Sequence, residues 1–426
     1  MSGVLNLEVH MSNQHSSHEM WLARLKDHLE NQRYASGPAQ RYVDVAGHFL
    51  AFLEQQHVEP RAAQPADVQR YLQRAVGMYR RRHGHLPDYA GWRSSHTSGV
   101  HMLLRLVQGQ WPPVPMAVTP TEILQRNICE QYAEWMTGVR GLAPVTVSGR
   151  CDEARHFLSW MGDRATPEQL ASLTVSDADG YMKDRAASLR RPTLNGVASN
   201  MRSFLRWLHT TGHTARDLST AVVAPSLYAF EGIPSALRAR DVEKVLAVTR
   251  QDHTRKGIRD YAILMLLSRY GTRAGEVAAL RLDDINWHKD TIRIRHTKTC
   301  AASHLPLLPE VGKAILDYLQ KSRPKVCFRE IFIRSRAPYR PFQSGSSLYT
   351  PIRRRIDAAG VVTAGKRGPH AFRHARAVSL LHGGVPLKEI GDVLGHRASD
   401  STLVYLKLAT EDLRAVALEI PTEVKL

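Results

Sequence analysis

Apolar residues recur at helical spacing through the first half of the chain. Phe49, Leu50 and Leu53 fall on one helical face in one segment, and Leu205 and Leu208 do so in another. Residues three and four positions apart share a face of an α-helix, so this period predicts amphipathic helices packed around apolar cores. The first half is therefore expected to form helical bundles.

The pattern changes in the second half of the chain. Residues 241–248 and 257–267 keep the helical period, whereas residues 291–295 alternate polar and apolar side chains with a period of two. Residues 305–307 follow shortly afterwards, which indicates a small hairpin. Helices are predicted again from His370 to the end. These elements predict a mainly α fold with a small β-hairpin or sheet, and they argue against a doubly wound parallel sheet.

Two proline-rich segments, 111–120 and 224–234, separate the helical regions. Proline disfavours helix at the residue before it, so both segments are predicted to be linkers. A chain of 426 residues is also long enough for several domains. The expected organisation is a flexible N-terminus (1–19), an extra helical module (20–115), a second helical domain (121–222) and a C-terminal domain (234–426).

The two helical modules resemble each other at three places, which occur in the same order in both. The offsets between the matching segments are 108, 110 and 101 residues. We interpret the match as two copies of one four-helix module, the alternative being the Leu and Phe pattern that all small helical bundles share. The matching segments are 47–53 with 155–161, 65–72 with 175–182, and 103–107 with 204–208.

The charge balance narrows the possible partners. Lys and Arg total 58 and Asp and Glu total 40, a formal net charge of +18 at pH 7. Such a surplus indicates a polyanion, with nucleic acid as the first candidate. A membrane surface is the weaker candidate, since the longest apolar stretch, 261–267, is far shorter than the roughly 20 residues of a spanning helix. With no signal-peptide pattern at the N-terminus, a cytoplasmic, nucleoid-associated protein that meets no membrane is expected.

The pattern of metal-ligating residues predicts no metal site. The four cysteines lie far apart without a Cys-x-x-Cys pair, which argues against a zinc site and a disulfide framework. His370 and His374 stand one helical turn apart and could hold a metal, but no glutamate lies between them as in a zinc protease motif. We therefore expect neither a metal nor another cofactor.

Six side chains in the C-terminal region together suit chemistry on a phosphodiester. Two guanidiniums can grip its non-bridging oxygens and stabilise a pentavalent transition state. A tyrosine hydroxyl can attack the phosphorus, while two histidines and a lysine hold phosphoryl oxygens and move protons. Each residue alone has an ordinary structural explanation, so the inference depends on the ordered set. In chain order the six are Arg273, Lys298, His370, Arg373, His396 and Tyr405.

The motifs around these residues resemble those of the tyrosine recombinases, the phage-integrase family. They are Tyr-Gly-Thr-Arg-Ala-Gly-Glu, His-Thr-Lys-Thr, His-Ala-Phe-Arg, Asp-Val-Leu-Gly-His and a final tyrosine, in the family's order and spacing. The resemblance covers residues 234–415, and residues 121–220 resemble the family's core-binding domain. It implies a tyrosine-recombinase catalytic domain preceded by one or more helical, SAM-like core-binding domains, which together form a C-shaped clamp on DNA.

The resemblance also implies roles for the two arginines. Arg273 and Arg373 would clamp the scissile phosphate. Glu276, one helical turn beyond Arg273, would hold the clamp in place, although an exposed carboxylate is the ordinary alternative.

The remaining four residues would perform the chemical step. Lys298 would protonate the departing 5′ oxygen, and His370 would act as acid or base near the tyrosine hydroxyl. His396 would hydrogen-bond a phosphoryl oxygen. Tyr405 would form the 3′-phosphotyrosyl intermediate.

Two positions depart from the family pattern. Thr299 stands where a glycine commonly follows the lysine, which leaves Lys298 less firmly assigned than the arginines. Lys289 is a poor rival, because it precedes the first strand. Ala375 stands where Ser or Thr is frequent. Neither change removes a catalytic group.

Several basic clusters are expected to contact DNA phosphates, which provides affinity and salt dependence without sequence choice. Any one cluster could equally be an ordinary solvated surface. We expect the extra N-terminal module either to lengthen the DNA footprint or to contact a partner protomer. The candidate DNA-contact residues are Arg353, Arg354, Arg355, Lys366, Arg367, Arg80, Arg81 and Arg82.

The resemblance implies a site-specific recombinase on double-stranded DNA. It would act as a tetramer through a Holliday junction, without metal or ATP, in integration, excision or transposition of a mobile element. A type IB topoisomerase shares the phosphotyrosine chemistry and is one alternative. A DNA-binding regulator with a silent active site is the other, and the intact set of six residues argues against it.

Overall fold

The computed structural model describes residues 2–227, 236–296, 301–363 and 367–395, with side chains from residue 17 onward except at 89 and 90. The chain divides into two compact units. One is Val114–Glu231, and the other combines the described residues before and after it, so that the N-terminal helices and the C-terminal domain belong to one unit. None of the helices described is both long enough and apolar enough to cross a membrane.

The N-terminal helices pack around an apolar core. Phe49 and Leu103 are fully buried, and burial of each such side chain contributes about 1.5–3 kcal/mol. Gly99 allows close helix packing, because a Cβ there would lie 2.9 Å from the carbonyl oxygen of Tyr42. The first helix begins at the second residue, so most of the segment 1–19, where a flexible terminus was expected, is helical. The helices are α1 (Ser2–Asn31), α2 (Ser36–Gln55), α3 (Pro65–His83) and α4 (Tyr89–Gln108).

The unit Val114–Glu231 is also helical, and threonines begin two of its helices. The Thr119 hydroxyl accepts a hydrogen bond from the Glu122 backbone N–H, and the Glu122 carboxylate accepts one from Thr119 in return. Thr174 and Asp177 repeat this arrangement. The helices are α5 (Pro120–Gly138), α6 (Pro144–Met161), α7 (Pro167–Ala171), α8 (Val175–Ser188) and α9 (Arg191–Thr210).

The three segment pairs that suggested a duplication lie on α2 and α6, on α3 and α8, and on α4 and α9. At matching positions the same aromatic pair recurs. The rings of Phe49 and Tyr71 meet edge to face with centroids 5.2 Å apart, and those of Phe157 and Tyr181 meet edge to face at 5.2 Å. A shared apolar pattern alone does not require the same ring pair, so this match supports the duplication hypothesis.

The C-terminal domain is built around a buried central helix, α11. Residues 262–267 of that helix are all buried, because helices on several sides cover it. The predicted mainly α class is confirmed. The helices are α10 (Ala239–Arg250), α11 (Arg255–Arg269), α12 (Ala274–Ala278), α13 (Pro309–Lys321), α14 (Tyr349–Ala358), α15 (Pro369–His382) and α16 (Leu387–Leu394).

A small antiparallel sheet accompanies these helices, in the order β1 (Ile285–Asn286), β2 (Thr291–His296) and β3 (Ala301–Pro306). In the register, Ile292 lies opposite Leu305 and Ile294 opposite Ser303. Buried residues alternate along β2, as the period of two predicts. The small sheet is thus confirmed, and β1, which is too short to show a pattern, adds a third strand.

Candidate active site

The turn between α11 and α12 places Arg273. The chain passes through Gly271 with φ of +64°, a conformation that favours glycine. The Thr272 hydroxyl donates a hydrogen bond of 3.2 Å to the carbonyl oxygen of Leu266, and Arg273 then takes the N-cap position of α12. A Cβ on Gly271 would lie 2.7 Å from Leu394 Cδ2. The turn therefore packs directly against α16.

Glu276 holds Arg273 at two points. Its Oε2 accepts a hydrogen bond from the Arg273 backbone N–H at 2.7 Å, and its Oε1 accepts one from Nη1 of the guanidinium at 2.8 Å. The Glu276 side chain is 1% exposed and that of Arg273 is 21% exposed. The carboxylate thus holds the guanidinium at Nη1 and leaves part of it facing solvent. This is the contact expected of a supporting residue.

Arg373 lies on α15, is 3% exposed, and reaches the turn that carries Arg273. Its Nη1 donates a hydrogen bond to the carbonyl oxygen of Gly271 at 2.8 Å, and its Nη2 donates to that of Leu394 at 2.7 Å. Arg273 Nη2 donates to the carbonyl oxygen of Gly395 at 3.2 Å. Both arginines are thus held by the chain at residues 394–395, and Arg373 also bonds two residues before Arg273. The fold therefore brings the two arginines together.

His370 lies in the first turn of α15 and is exposed. Its imidazole centroid is 6.3 Å from that of His374. Gly368 allows the helix to start here, because a Cβ at that position would lie 2.6 Å from the Tyr349 ring. Since residues three apart are neighbours on a helix, His370 is next to Arg373.

Three of the six predicted residues, Lys298, His396 and Tyr405, lie outside the described residues, as does Lys366. Along the sequence, Lys298 is two residues beyond the last residue of β2. His396 directly follows Gly395, whose carbonyl accepts from an arginine of the site.

One residue beside Glu276, His296, was not predicted from the sequence. Its side chain is 4% exposed, its Nδ1 lies 2.8 Å from Glu276 Oε1, and its Nε2 lies 2.7 Å from the Ser303 hydroxyl. It occupies the inward position that follows Ile292 and Ile294 along β2. A polar residue in an apolar alternation is the signal that could have found it.

Arg355, which is predicted to contact DNA, is hydrogen-bonded within the domain. Its Nη1 lies 2.6 Å from an oxygen of Asp252 and its Nε lies 2.9 Å from an oxygen of Asp260. Burial raises the pKa of the Asp252 carboxyl, but hydrogen bonds from Thr254 and Arg355 outweigh burial and bring that pKa down to about 2. This guanidinium therefore joins α14 to α11 and to the loop before it, and its contact with DNA stays a prediction.

The neighbouring basic residues are more exposed. Arg353 and Arg367 lie 3.7 and 3.6 Å from the carboxylate of Asp357, and each is more than a third exposed. Exposed ion pairs of this kind contribute little to stability, so both guanidiniums can turn to a phosphate. Arg354 is exposed.

Three arginines of the N-terminal module line an open cavity of about 840 Å³ between α2, α3 and α4. Tyr79 and Trp92 contribute rings 6.2 Å apart. Among the described residues, the lining includes three arginines and three histidines and lacks carboxylates. Arg81 and Arg82 line it, and Arg80 is exposed next to them. The cavity is thus a basic and aromatic groove.

Comparison with known proteins identifies the family. A model described as the phage integrase family matches residues 235–412. A Sinorhizobium fredii protein named as an integrase/recombinase is 53% identical over 193 residues, which are 45% of this chain and 99% of that protein. Another from the same organism is 36% identical over 295 residues, 69% of this chain and 71% of that protein. The chain belongs to the phage integrase family.

Solved integrase-family structures share the fold. The XerH site-specific recombinase in a post-cleavage complex with difH substrate aligns with a TM-score of 0.55 at 15% identity, over 70% of this chain and 87% of that one. A lambda integrase tetramer bound to a Holliday junction aligns with a TM-score of 0.50 at 15% identity, over 73% and 86%. As a member of the integrase family, the chain is an enzyme of the class that cleaves and rejoins DNA.

Proposed function

We propose that this enzyme is a site-specific recombinase that acts on double-stranded DNA in the integration, excision or transposition of a mobile element. The observation that carries the proposal is that Arg273 and Arg373 are held close together. Both bond to the chain at residues 394–395, Arg373 also bonds to Gly271, and the buried carboxylate of Glu276 supports Arg273. Two guanidiniums fixed close together suit the non-bridging oxygens of one phosphodiester.

In the proposed reaction, the hydroxyl oxygen of Tyr405 attacks the scissile phosphorus. A bond from phosphorus to the tyrosine oxygen forms, and the bond from phosphorus to the 5′ oxygen breaks. The hydroxyl proton passes to His370, Lys298 gives a proton to the departing 5′ oxygen, and His396 donates a hydrogen bond to a phosphoryl oxygen. The phosphotyrosyl bond retains the energy of the phosphodiester, so rejoining is the reverse reaction and needs neither ATP nor a metal.

The arginines would stabilise the charge that develops on the phosphoryl oxygens. A donor that is already held in place needs no rearrangement when the transition state forms. Arg273 is held by Glu276 and Gly395 and yet is 21% exposed, so part of its guanidinium is open to a substrate.

We propose that two such exchanges take place in a tetramer and pass through a Holliday junction. The lambda integrase tetramer bound to a Holliday junction supports this assembly, since it shares the fold. Crosslinking of the protein with and without a two-site DNA tests the proposal. Dimers or tetramers are expected only when DNA is present.

We further propose that the N-terminal module lengthens the DNA footprint through its basic groove. One phosphate contact fewer lowers the slope of log K against log salt by about one. Arg81→Gln is therefore expected to weaken DNA binding and to reduce this slope. Arg61→Gln, a charge-matched change at an exposed position outside the groove lining, is expected to do neither. Equal effects of the two variants would refute the groove assignment.

A suicide DNA substrate tests the central proposal. The DNA is taken from the flanks of the gene's own element and nicked near the expected crossover, and the reaction contains EDTA. A covalent protein–DNA adduct on a denaturing gel is expected with wild type and absent with Tyr405→Phe. An adduct with both proteins would remove Tyr405 as the nucleophile.

Two other outcomes would favour other functions. Tight DNA binding without an adduct on any substrate would indicate a regulator. Relaxation of a supercoiled plasmid that lacks a recombination site, at catalytic amounts of protein, would indicate a topoisomerase.

A further inference from the structure

His296 is a polar residue at an inward position of β2, where the alternation of the strand predicts an apolar one. It ends β2, follows Ile292 and Ile294 on the inward face, and is 4% exposed. A buried imidazole is costly unless its nitrogens are hydrogen-bonded, so its partners explain its presence.

The partners of His296 belong to three segments of the active-site region. Its Nδ1 is 2.8 Å from Glu276 on α12, and its Nε2 is 2.7 Å from the Ser303 hydroxyl on β3. Gly395 lies against the ring itself, since a Cβ there would come within 2.4 Å of the imidazole. The ring therefore fills the space where these segments meet.

The contact with Glu276 defines which nitrogen carries a proton. An ionised carboxylate only accepts hydrogen bonds, so His296 Nδ1 must be the donor. Glu276 Oε2 accepts from the Arg273 backbone, and Oε1 accepts from both Arg273 Nη1 and His296 Nδ1. Without the imidazole, the buried carboxylate keeps only donors that belong to Arg273, and nothing described here anchors it to the sheet.

We propose that His296 is a positioning residue for strand transfer, an inference that depends on the proposed function. It ties the Glu276 carboxylate to the sheet and so fixes the Arg273 guanidinium against the scissile phosphate. Its bond to Ser303 holds the imidazole itself in place on β3. A misplacement of about 1 Å in a catalytic group can slow a reaction about 100-fold, so a support of this kind affects the rate more than DNA affinity.

A matched pair of amide variants tests this role. The Asn amide nitrogen sits near the place of imidazole Nδ1, and the Gln amide sits near that of Nε2. His296→Asn keeps a donor for Glu276, and we expect it to form the covalent adduct within about threefold of the wild-type rate. His296→Gln reaches Ser303 instead, and we expect a rate about 10- to 100-fold lower with DNA affinity unchanged. Both variants are polar, so a common loss of stability would not separate them.

Two further measurements separate positioning from a merely structural role. His296→Leu in a Glu276→Ala background is expected to cause no additional loss of rate, because the residue acts through that carboxylate. His288→Leu, the same change at an exposed position of the β1–β2 turn, is expected to leave the rate unchanged.

The outcomes distinguish the two proposals. If wild type forms no adduct, the proposed function fails. If wild type forms the adduct but the Asn and Gln variants have equal rates, or the His296 and Glu276 losses multiply, the positioning role is overturned.

Discussion

Two adjacent arginines on α14, Arg354 and Arg355, are expected to respond differently to truncation. Arg355 bonds to Asp252 and Asp260 inside the domain, whereas Arg354 is exposed. Arg355→Ala and Arg354→Ala remove the same charge from adjacent positions. Only the first is expected to destabilise the protein.

The magnitude follows from the burial of the partners. Removing one member of a buried ion pair costs about 3–5 kcal/mol, because the other charge stays behind in the interior. Asp260 retains Arg259, and the Asp252 side chain is 28% exposed, so we expect about 3 kcal/mol for Arg355→Ala. In a domain of this size, such a loss lowers the Tm by roughly 6–12 °C. Arg354→Ala is expected to change stability by less than about 0.5 kcal/mol.

The effect also depends on pH. The Asp252 carboxyl has a pKa of about 2, below its ordinary 3.8, because the hydrogen bonds of Thr254 and Arg355 outweigh the effect of burial. A carboxyl with a lowered pKa stabilises the fold above about pH 4, and this contribution disappears as the pH falls towards 2. The stability difference between wild type and Arg355→Ala should therefore shrink below pH 4.

Thermal unfolding of the full chain at pH 7 and at pH 3, followed by calorimetry, measures both effects. DNA affinity as a function of salt, measured on the same proteins, shows which arginine contacts phosphate. Equal Tm values for the two variants at pH 7 would refute the structural role of Arg355. A Tm difference that persists unchanged at pH 3 would instead refute the share of that role assigned to Asp252.

Three further predictions follow from local geometry. Gly345→Ala would place a methyl 2.5 Å from the backbone nitrogen of Gly275 in α12. Adduct formation in single-turnover assays should therefore slow at least about tenfold, while binding titrations should show unchanged DNA affinity. Burial raises the pKa of the Cys129 thiol to about 11, so iodoacetamide at pH 8 should modify exposed Cys327 and spare Cys129 in the native protein, as mass spectrometry of peptides would detect. Tyr181→Phe removes a hydrogen bond to a buried carboxylate of α6 and should lower the free energy of unfolding of that unit by about 2 kcal/mol in denaturant titrations.

Local patterns in the sequence predicted the elements that are stabilised locally. The alternation over 291–295 predicted β2, because one face of that strand is buried and the other is not. The role of His296 was not predictable in this way, since its partner Glu276 lies 20 residues earlier and is brought near only by the fold. A run of arginines likewise gives no sign of which one turns inward, although the spacing of buried Ile352 and Ile356 places Arg355 beside the inner face of the helix.

Apart from the Glu276 carboxylate, the acceptors described for the two arginines are peptide carbonyls, those of Gly271, Leu394 and Gly395. Every amino acid carries the same carbonyl, so no substitution at these positions can delete an acceptor. Aligned relatives should consequently show no compensating pairs of substitutions between the arginines and these partners. Methods that infer contacts from covariation would therefore miss these hydrogen bonds. Natural variation at these positions can alter only the path of the backbone. The glycines at 271 and 395, both with positive φ, show that this path is constrained.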